Sequence, residues 1–248
     1  MKHYFKKAFL ALGLMAGLVT LQSCNDDDDD YYYYPNYLPN ALVTVRPSSD
    51  GSFTMQLDDS TTLIPVNMQK SPFGSKEVRA LVSCYKSGST TGNNNQVNIA
   101  WIDSIRTKQP VVTTGTNDDK TYGNDPIEVV RDWVTVAEDG YLTLRFRTRW
   151  GNQGQVHYIN LVTGTNPNDP FDLVLRQNAQ GDTYGQMGDA LIAFNLNDLK
   201  RIHGDKVKLT LHWNSYSGKK STTFDLRLRP TATPTALTQQ LTLNKQVK

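Results

Sequence analysis

Residues 141–150 read YLTLRFRTRW, and apolar and basic side chains alternate along most of this run. Successive side chains of a β-strand point to opposite faces of a sheet, so the run would place its apolar residues on one face and its basic residues on the other. The apolar residues are Leu142, Leu144, Phe146 and Trp150, and the basic residues are Arg145, Arg147 and Arg149. The pattern predicts a strand that is buried on one side only.

Similar short segments, separated by turn residues, fill the second half of the chain. The other strand candidates lie at 132–136, 156–162, 171–176, 190–194, 206–213 and 221–229. Short strands at this spacing, with almost no helical periodicity, favour two packed sheets, so residues 125–230 are predicted to form a β-sandwich domain. One helical turn, capped by Asn197, is expected within 195–202.

The first half of the chain is also predicted to be all-β. Its strand candidates lie at 41–45, 52–57, 62–66, 77–86 and 97–107, and Asp50-Gly51 supplies the positive φ for a tight turn between the first two. Five strands in this length are compatible with a small barrel of the OB type, placed at 37–112. Residues 113–124 are rich in Thr, Gly, Asn and Asp and predict a linker, and residues 231–248 read as a disordered Thr-rich tail.

Residues 1–23 are predicted to be a secretion signal. Lys2, Lys6 and Lys7 form a positive n-region, and residues 8–21 form an apolar run that is too short to span a bilayer. Removal of this segment takes away three lysines and no acidic residue, so the formal net charge falls from +2 to −1. The ordinary hydrophobic content of 38% and charged content of 20% disfavour a wholly disordered chain or a polytopic membrane protein.

A lipid anchor is predicted at the end of this signal. Leu21, Gln22, Ser23 and Cys24 are similar to the lipobox of bacterial lipoproteins, in which the cysteine becomes the acylated first residue. The only other cysteine is Cys84, so the chain has no pair for an intramolecular disulfide framework. Acyl chains of this kind would hold the mature protein on a membrane, expected to be the outer membrane. An ordinary signal with an incidental cysteine is the alternative.

An acidic tether is predicted to follow the anchor. The repelling carboxylates have nothing apolar to bury, and they also resemble the export signal by which lipoproteins of Bacteroidota reach the outer face of the outer membrane; a plain spacer is the alternative. The residues are Asp26, Asp27, Asp28, Asp29 and Asp30. Residues 31–34 are four tyrosines, which either form an interfacial aromatic belt or, as we favour, pack against the first domain.

Basic residues occupy the outward positions of three strand candidates in the second half. Besides the arginines of 141–150, these residues are Lys206, Lys208, Arg227 and Arg229. If the three strands share one sheet, its outer face would be basic and could bind an anionic glycan or lipopolysaccharide. The alternative is a solvated face whose charges discourage edge pairing. The acidic first half disfavours a nucleic acid partner.

Catalytic and metal-binding patterns are scarce. Residues 83–86 and 217–220 match the S-x-x-K spacing, but the first lies in a strand, where positions three apart face opposite ways, and the second reads as a hairpin turn. His157, His203 and His212 lack metal-ligand spacing and are expected to be structural. We therefore expect no catalytic residue, no metal and no cofactor.

Several phrases, in order, resemble the NigD-like lipoproteins. Besides the lipobox and aspartate run, they are DPIEVVRDWV (125–134), EDGYLTLRFRT (138–148), NPNDPFDLVLRQNAQGD (166–182), LIAFNLNDL (191–199) and KLTLHWNSYSGKKSTTFDL (208–226). The resemblance implies an N-terminal OB domain, a C-terminal β-sandwich and a role in bacteriocin self-immunity. It implies no catalytic or ligand residues.

Three functions are compatible with these features. The leading hypothesis is a non-catalytic, surface-anchored lipoprotein that binds a protein or envelope partner, such as a toxin. The second is binding of an anionic polymer through the basic face. The third is an envelope hydrolase with an unrecognised site.

Overall fold

The structure is a computed structural model that describes residues 38–88, 95–152, 154–202 and 204–230. The signal segment, Cys24 with its lipobox, the aspartate run, the four tyrosines, His203 and the 231–248 tail all lie outside the described residues. The described residues form one compact unit, in which a barrel is followed by a sandwich.

The first domain is a closed barrel with the strand order β1-β2-β3-β5-β4. Its strands are β1 (Ala41–Pro47), β2 (Phe53–Gln56), β3 (Thr62–Pro65), β4 (Val78–Lys86) and β5 (Gln96–Ser104). Every neighbouring pair is antiparallel except β3 with β5, which is parallel. Alternate residues such as Val43, Val45, Met55, Ala80 and Val82 point inward and are fully buried. The predicted OB-type barrel is therefore confirmed.

The predicted turn between the first two strands is also present. Gly51 has φ +87°, and Ser48 N donates to Ser52 O at 2.7 Å to close the connection. Asp50 Oδ1 accepts hydrogen bonds from the main-chain N and the hydroxyl of Ser52, at 2.9 and 2.7 Å. Only glycine adopts this left-handed conformation without strain, which is why the Asp-Gly pair marks the turn in the sequence.

The second domain is a sandwich of two sheets. Its elements are β6 (Thr107–Lys108), β7 (Val111–Val112), a 3₁₀ turn (Gly115–Asn117), α1 (Asp118–Tyr122), β8 (Glu128–Val130), β9 (Val136–Glu138), β10 (Tyr141–Trp150), β11 (Tyr158–Thr163), β12 (Asp172–Asn178), β13 (Gln186–Asn195), β14 (Lys206–Ser215) and β15 (Gly218–Arg227). The first sheet has the order β6-β13-β10-β8, with β9 also paired to β10, and the second has the order β15-β14-β12-β11-β7.

The sandwich core lies between the two sheets and confirms the alternation of the sequence. Leu142, Leu144 and Phe146 of β10 pack in one cluster with residues from the second sheet, such as Leu209 and Leu211 of β14. All five side chains are at least 97% buried. Because the apolar positions of each strand recur every second residue, each sheet presents one continuous apolar face to the other.

The domain boundary lies earlier than predicted. Residues 107–112 were assigned to the first domain, but β6 and β7 pair in parallel with β13 and β11 of the sandwich. Lys108 Nζ also donates to Ile159 O at 2.6 Å and so links β6 of the first sheet to β11 of the second. The predicted linker at 113–124 contains the 3₁₀ turn and α1, which Asp118 anchors by accepting hydrogen bonds from Thr113 and Thr114. Two-residue strands carry no periodicity, so the sequence could not reveal them.

Two local predictions in the sandwich were wrong. The strand expected at 132–136 is mostly the connection between β8 and β9, and only its last residue belongs to a strand. Asn195 ends β13, residues 196–202 form turns and irregular structure without a helix, and Asn197 does not cap one. Instead, Asn197 Oδ1 accepts a hydrogen bond from Arg229 N at 3.0 Å, which fastens this turn to the end of β15.

The barrel packs against the outer face of the first sheet through a partly polar contact. Leu42, Ile105, Val134 and Ala193 form its apolar part. The polar part, here called the interdomain seam, consists of Arg46, Glu77, Arg79, Glu138, Asp139, Tyr141 and Arg229.

Arg79 lies at the centre of the seam and is fully buried. Its Nη2 donates to Glu138 Oε1 at 2.6 Å, its Nη1 to Thr44 Oγ1 at 3.0 Å and its Nε to Thr143 Oγ1 at 3.3 Å. Thr44 belongs to the barrel, whereas Thr143 and Glu138 belong to the sandwich. One guanidinium therefore joins the two domains, and its charge is compensated where water is excluded.

The Asp139-Gly140 turn between β9 and β10 adds a second connection. Both residues have positive φ, +52° and +74°, as a type I′ hairpin requires. Asp139 is paired with Arg46 from the barrel and with Arg229, two residues after β15, and its main-chain N–H donates to Asp59 Oδ1 at 2.9 Å. Burial opposes the charged form of Arg229, but the hydrogen bonds and charges of Asp139 and Glu77 together outweigh burial and raise the pKa of Arg229 above its usual range.

Tyr141 completes the seam beside this turn. Its side chain is almost fully buried, and its hydroxyl donates to Glu77 Oε1 at 2.5 Å. Arg79 and Arg229 lie over its ring, at 5.8 and 5.3 Å from the centroid. Burial, followed by the hydrogen bond with Glu77, raises the pKa of Tyr141 well above its ordinary value. The phenol therefore stays protonated and keeps its donor role.

Replacement of Arg79 by methionine should lower the free energy of unfolding by about 3–5 kcal/mol, because Glu138 would be left half-buried without its partner. Urea unfolding of the purified protein measures this loss. The double variant Arg79→Met, Glu138→Gln should recover part of it. Arg106→Met is the matched control, since Arg106 is exposed, and it should change the free energy by less than about 0.5 kcal/mol. Equal effects of the two arginine variants would contradict a structural role for Arg79.

Candidate binding surface

The seven predicted anion-binding residues do not form one face. The arginines at 145, 147 and 149 lie on β10 in the first sheet, whereas Lys206, Lys208 and Arg227 lie on β14 and β15 in the second. The outer faces of the two sheets point in opposite directions, and Arg229 is in the interdomain seam. The prediction of a continuous basic face was therefore wrong. Alternation identifies which side chains point outward, but it does not identify the sheet to which a strand belongs.

Acidic neighbours also compensate most of these cations. Arg145 pairs with both Asp132 and Asp189, and Arg147 pairs with Asp189. Lys208 Nζ lies 3.5 Å from Asp225 Oδ1, and both of these side chains are well exposed. Among the described residues, three of the seven candidates lack an acidic partner within 4.0 Å, and these are Arg149, Lys206 and Arg227. The topology and this compensation remove the basis for an anionic polymer site here.

Asp189 organises the arginines of β10. The hydrogen bond with Arg147 lowers the pKa of its carboxyl to about 2, and Arg145 contributes in the same direction. The hydrogen bond with Arg145, followed by that with the main-chain N–H of Trp133, also lowers the pKa of Asp132. Both carboxylates are therefore ionised at neutral pH. They hold Arg145 in a fixed position between the two acidic residues.

The connection between β8 and β9, here called the 131–135 turn, presents Trp133 to solvent. The side chain of Trp133 is 52% exposed, although tryptophan is usually well buried. The main-chain N–H of Trp133 donates to Asp132 Oδ1 at 2.6 Å, and the main-chain N–H of Thr135 donates to Asp132 O at 3.0 Å. Arg145 N donates to Thr135 Oγ1 at 3.1 Å, so the turn is also fastened to β10. The exposed indole is thus carried by a firmly hydrogen-bonded turn.

A first groove, here called the corner groove, lies on one side of the 131–135 turn, where the barrel meets the first sheet. Its volume is about 220 Å³, and it is lined by apolar residues from both domains with charged residues at its rim. The apolar residues are Pro39, Leu81, Trp133, Val134, Ala190 and Leu191, and the charged residues are Asp132, Arg145 and Asp189. Because both domains contribute walls, the groove exists only while the barrel keeps its place on the sheet.

A second groove, here called the edge groove, lies on the other side of the same turn. It has a volume of about 450 Å³ and separates β8, at the edge of the first sheet, from β15, at the edge of the second. Val129, Trp213 and Phe224 of the sandwich core form its apolar lining. Glu128 closes one end, because its carboxylate accepts hydrogen bonds from Tyr216 N and Lys220 Nζ. Asp132 lines both grooves, so the two are neighbours on one surface.

A buried histidine, His157, lies in the connection between β10 and β11, away from both grooves. The His157 side chain is 1% exposed and stacks on Trp150, with ring centroids 4.2 Å apart. Its Nε2 lies 3.1 Å from Asp182 Oδ2, and its Nδ1 lies 3.1 Å from Gln177 Nε2. Both ring nitrogens are thus engaged.

Asp182 uses its carboxylate to join two loops. Burial opposes its ionisation, but hydrogen bonds from His157 and from the main-chain N–H groups of Asn152 and Gly151 lower the pKa of this carboxyl below its ordinary value. The network therefore has the character of a structural clamp on the connection between β10 and β11.

Within the described residues, no cluster of three or more His, Cys, Asp or Glu side chains has the arrangement of a metal site. None of the described helices has the length and hydropathy of a membrane span.

The sequence interpretation missed Trp133 and both grooves. The run VVRDWVTV at 129–136 is rich in β-formers, so Trp133 was assigned to a strand. The available signal was Asp132, whose short carboxylate often binds nearby main-chain N–H groups in turns. The edge groove has no local signal, because its two walls are about ninety residues apart in the chain.

Comparison with known proteins gives two family models and several solved structures. The model of the NigD-like N-terminal OB domain matches residues 42–105, and that of the NigD-like C-terminal beta sandwich domain matches residues 109–226. The junction between the two matches agrees with the early domain boundary of the structure. A search of curated proteins gives no match.

Three solved structures illustrate the likeness. A protein from Parabacteroides distasonis ATCC 8503, named as toxin-related, is 28% identical with a TM-score of 0.64, over 83% of this chain and 98% of its own. A NigD-like immunity protein from Bacteroides caccae ATCC 43185 is 20% identical with a TM-score of 0.55, over 77% and 93%. A protein from Bacteroides fragilis NCTC 9343, named as a lipoprotein, is 14% identical with a TM-score of 0.52, over 77% and 97%.

The last two likenesses are evidence for the fold alone, whereas the two family models together cover most of the chain in the expected order. The closed five-stranded barrel and the two-sheet sandwich are the folds that these models describe. The chain therefore belongs to the NigD-like family.

Proposed function

We propose that this chain is a non-catalytic, lipid-anchored protein of the cell envelope that binds a protein partner through the surface around the 131–135 turn. The observation that carries the proposal is Trp133, an exposed indole on a fixed turn between two grooves. Tryptophan is enriched among the few interface residues that dominate binding energy, whose truncation costs about 2 kcal/mol or more.

The arrangement of Trp133 is favourable for binding because few main-chain and side-chain groups would have to be ordered on association. The hydrogen bonds of Asp132 and Thr135 already fix the main chain of the turn, so association would immobilise mainly the indole itself. The apolar corner groove beside it is suited to one or two partner side chains, and the Arg145 and Asp189 charges at its rim are suited to orienting them.

The anchor in this proposal is Cys24. Its support is the lipobox at residues 21–24, and the aspartate run that follows supports export to the cell surface. The segment from Cys24 to Leu38 reaches at most about 50 Å when extended, so the folded domains would stay close to the membrane. A partner would then be bound at the envelope, before it reaches the cell interior.

The family supports a toxin as the class of partner. The resemblance implies a role in bacteriocin self-immunity. One matched structure is named as an immunity protein, and another is named as toxin-related. Capture at the surface by a binding protein needs no chemistry. The burial of His157 supports the non-catalytic part of the proposal, since its side chain is 1% exposed and is not accessible to a substrate.

Replacement of Cys24 by alanine should release the protein from the membrane fraction, because the thiol that carries the acyl group is lost. Metabolic labelling with an alkyne analogue of palmitate should mark the wild-type protein and leave Cys24→Ala unlabelled. Cys84→Ala is the matched control and should be labelled and sedimented like the wild type. Labelling that persisted in Cys24→Ala would contradict the assignment.

Replacement of Trp133 by alanine should lower the affinity for the native partner by about tenfold or more, because the indole would be the central apolar anchor. Crosslinking in intact cells, followed by identification of the captured protein and titration with the purified pair, measures this loss.

Tyr158→Ala is the control for this experiment, because Tyr158 is a similarly exposed aromatic residue, 50% exposed, on the second sheet. It should leave the affinity unchanged. A partner that bound Trp133→Ala and the wild type equally well would show that the binding surface is elsewhere.

A further inference from the structure

We infer that the edge groove binds a short extended peptide segment, which adds as a strand to β15. This inference rests on the proposed function and deepens it, because it names the chemical form in which a partner is recognised. Three observations carry it: unpaired main-chain groups on β15 and β8, a buried indole N–H without a partner, and an apolar lining between the two edges.

The direction of the main-chain groups of β15 follows from its hydrogen bonds. Leu228 N donates to Asp205 O on the side of β14, whereas Arg227 O accepts from Gly140 N on the opposite side. Because N–H and C=O groups of successive residues in a strand alternate in direction, those of Ser221, Thr223 and Asp225 point away from β14. The described residues provide no main-chain partner for them on that side.

The same reasoning applies to β8 on the other wall. Ile127 N donates to Asn214 O of the second sheet, so it points away from β10, and Val129 two residues later points the same way. At Ile127 the two sheets are thus bridged directly, and at Gly140 they are bridged again. Between these two bridges the edges separate, and the edge groove opens. A strand edge of this kind is a template for pairing with another chain.

Trp213 provides an independent sign of a missing partner. The residue is 8% exposed and lines the edge groove, and its Nε1 is fully buried without a hydrogen-bond acceptor among the described residues. A buried donor without a partner costs about 1–3 kcal/mol, so native structures rarely leave one unsatisfied. The N–H is closed to solvent in the unliganded groove, so a carbonyl of a bound segment would supply the acceptor after a shift of the side chains that cover it.

The dimensions and the lining define the ligand. The stretch of β15 that lines the groove, from Lys220 to Phe224, would pair with about five extended residues, at about 3.3 Å for each. Val129 and Phe224 favour an apolar side chain in the middle of the segment. Arg131 at the rim is exposed and has no acidic partner among the described residues, so an acidic residue at one end is favoured. The occupant is an extended segment of a partner protein.

A phage display library of random heptapeptides, selected against the purified protein, tests the inference. Enriched peptides should carry an apolar centre, and N-methylation of alternate amides should lower their affinity by at least tenfold, because it blocks pairing with β15. On binding, the amide protons of Ser221 and Thr223 should gain protection from exchange, and the indole N–H signal of Trp213 should shift in the NMR spectrum.

Two variants locate the site. Thr223→Pro removes an N–H that points away from β14, so the ladder is retained while peptide affinity should fall by at least tenfold. Trp213→Phe keeps an aromatic side chain at the position but removes the indole N–H together with part of the ring system, and it should weaken binding by about threefold to tenfold. Selection that enriches no peptide, or peptides that bind Thr223→Pro as well as the wild type, would overturn the inference. A dimer that light scattering detects in the wild type and not in Thr223→Pro would also overturn the inference, because the occupant would then be a second copy of this chain.

The inference and the proposed function fail in different ways. If the native partner depends on Trp133 and binds Thr223→Pro normally, the function stands and strand addition is overturned. If selected peptides bind the edge groove and no native partner depends on Trp133, strand addition stands and the proposed function fails.

Discussion

The architecture depends on one buried cation. Arg79 is fully buried between the barrel and the sandwich, and its three nitrogens donate to Thr44 on one side and to Thr143 and Glu138 on the other. A guanidinium in such a place is tolerated only when its donors are satisfied, so the two domains have one relative position in which its cost is offset. The apolar contact around Leu42 and Ala193 stabilises the association, and Arg79 makes it specific.

The binding surface is a consequence of this position. The corner groove takes one wall from the barrel and one from the first sheet, and the 131–135 turn that forms its rim packs through Val134 against the same contact. On its other side the turn borders the edge groove, where the sandwich leaves two strand edges apart. Trp133 is thus placed between a groove made by the association of domains and a groove made by the open edge of one domain. Two unrelated features of the fold converge on a single turn.

Much of the fold could be predicted from alternation, and the surface could not. The run at 141–150 correctly identifies the buried face of β10, and the Asp-Gly turn correctly joins β1 to β2. Alternation failed for the basic residues, because Arg147 and Lys208 point outward from different sheets, which only long-range pairing decides. Arg79 resembles any charged residue of a strand, and its burial follows from contact with a domain sixty residues later in the chain. The lipid anchor at Cys24 lies outside the described residues and stays a prediction.

The central claim is that the interdomain seam holds the barrel and the sandwich in one fixed orientation. Residual dipolar couplings of backbone amides, measured in a weakly aligned sample, report the orientation of each domain directly. The account predicts that one alignment tensor fits the amides of both domains in the wild-type protein with the geometry of the structure. Two different tensors, one for residues of the barrel and one for residues of the sandwich, would contradict it.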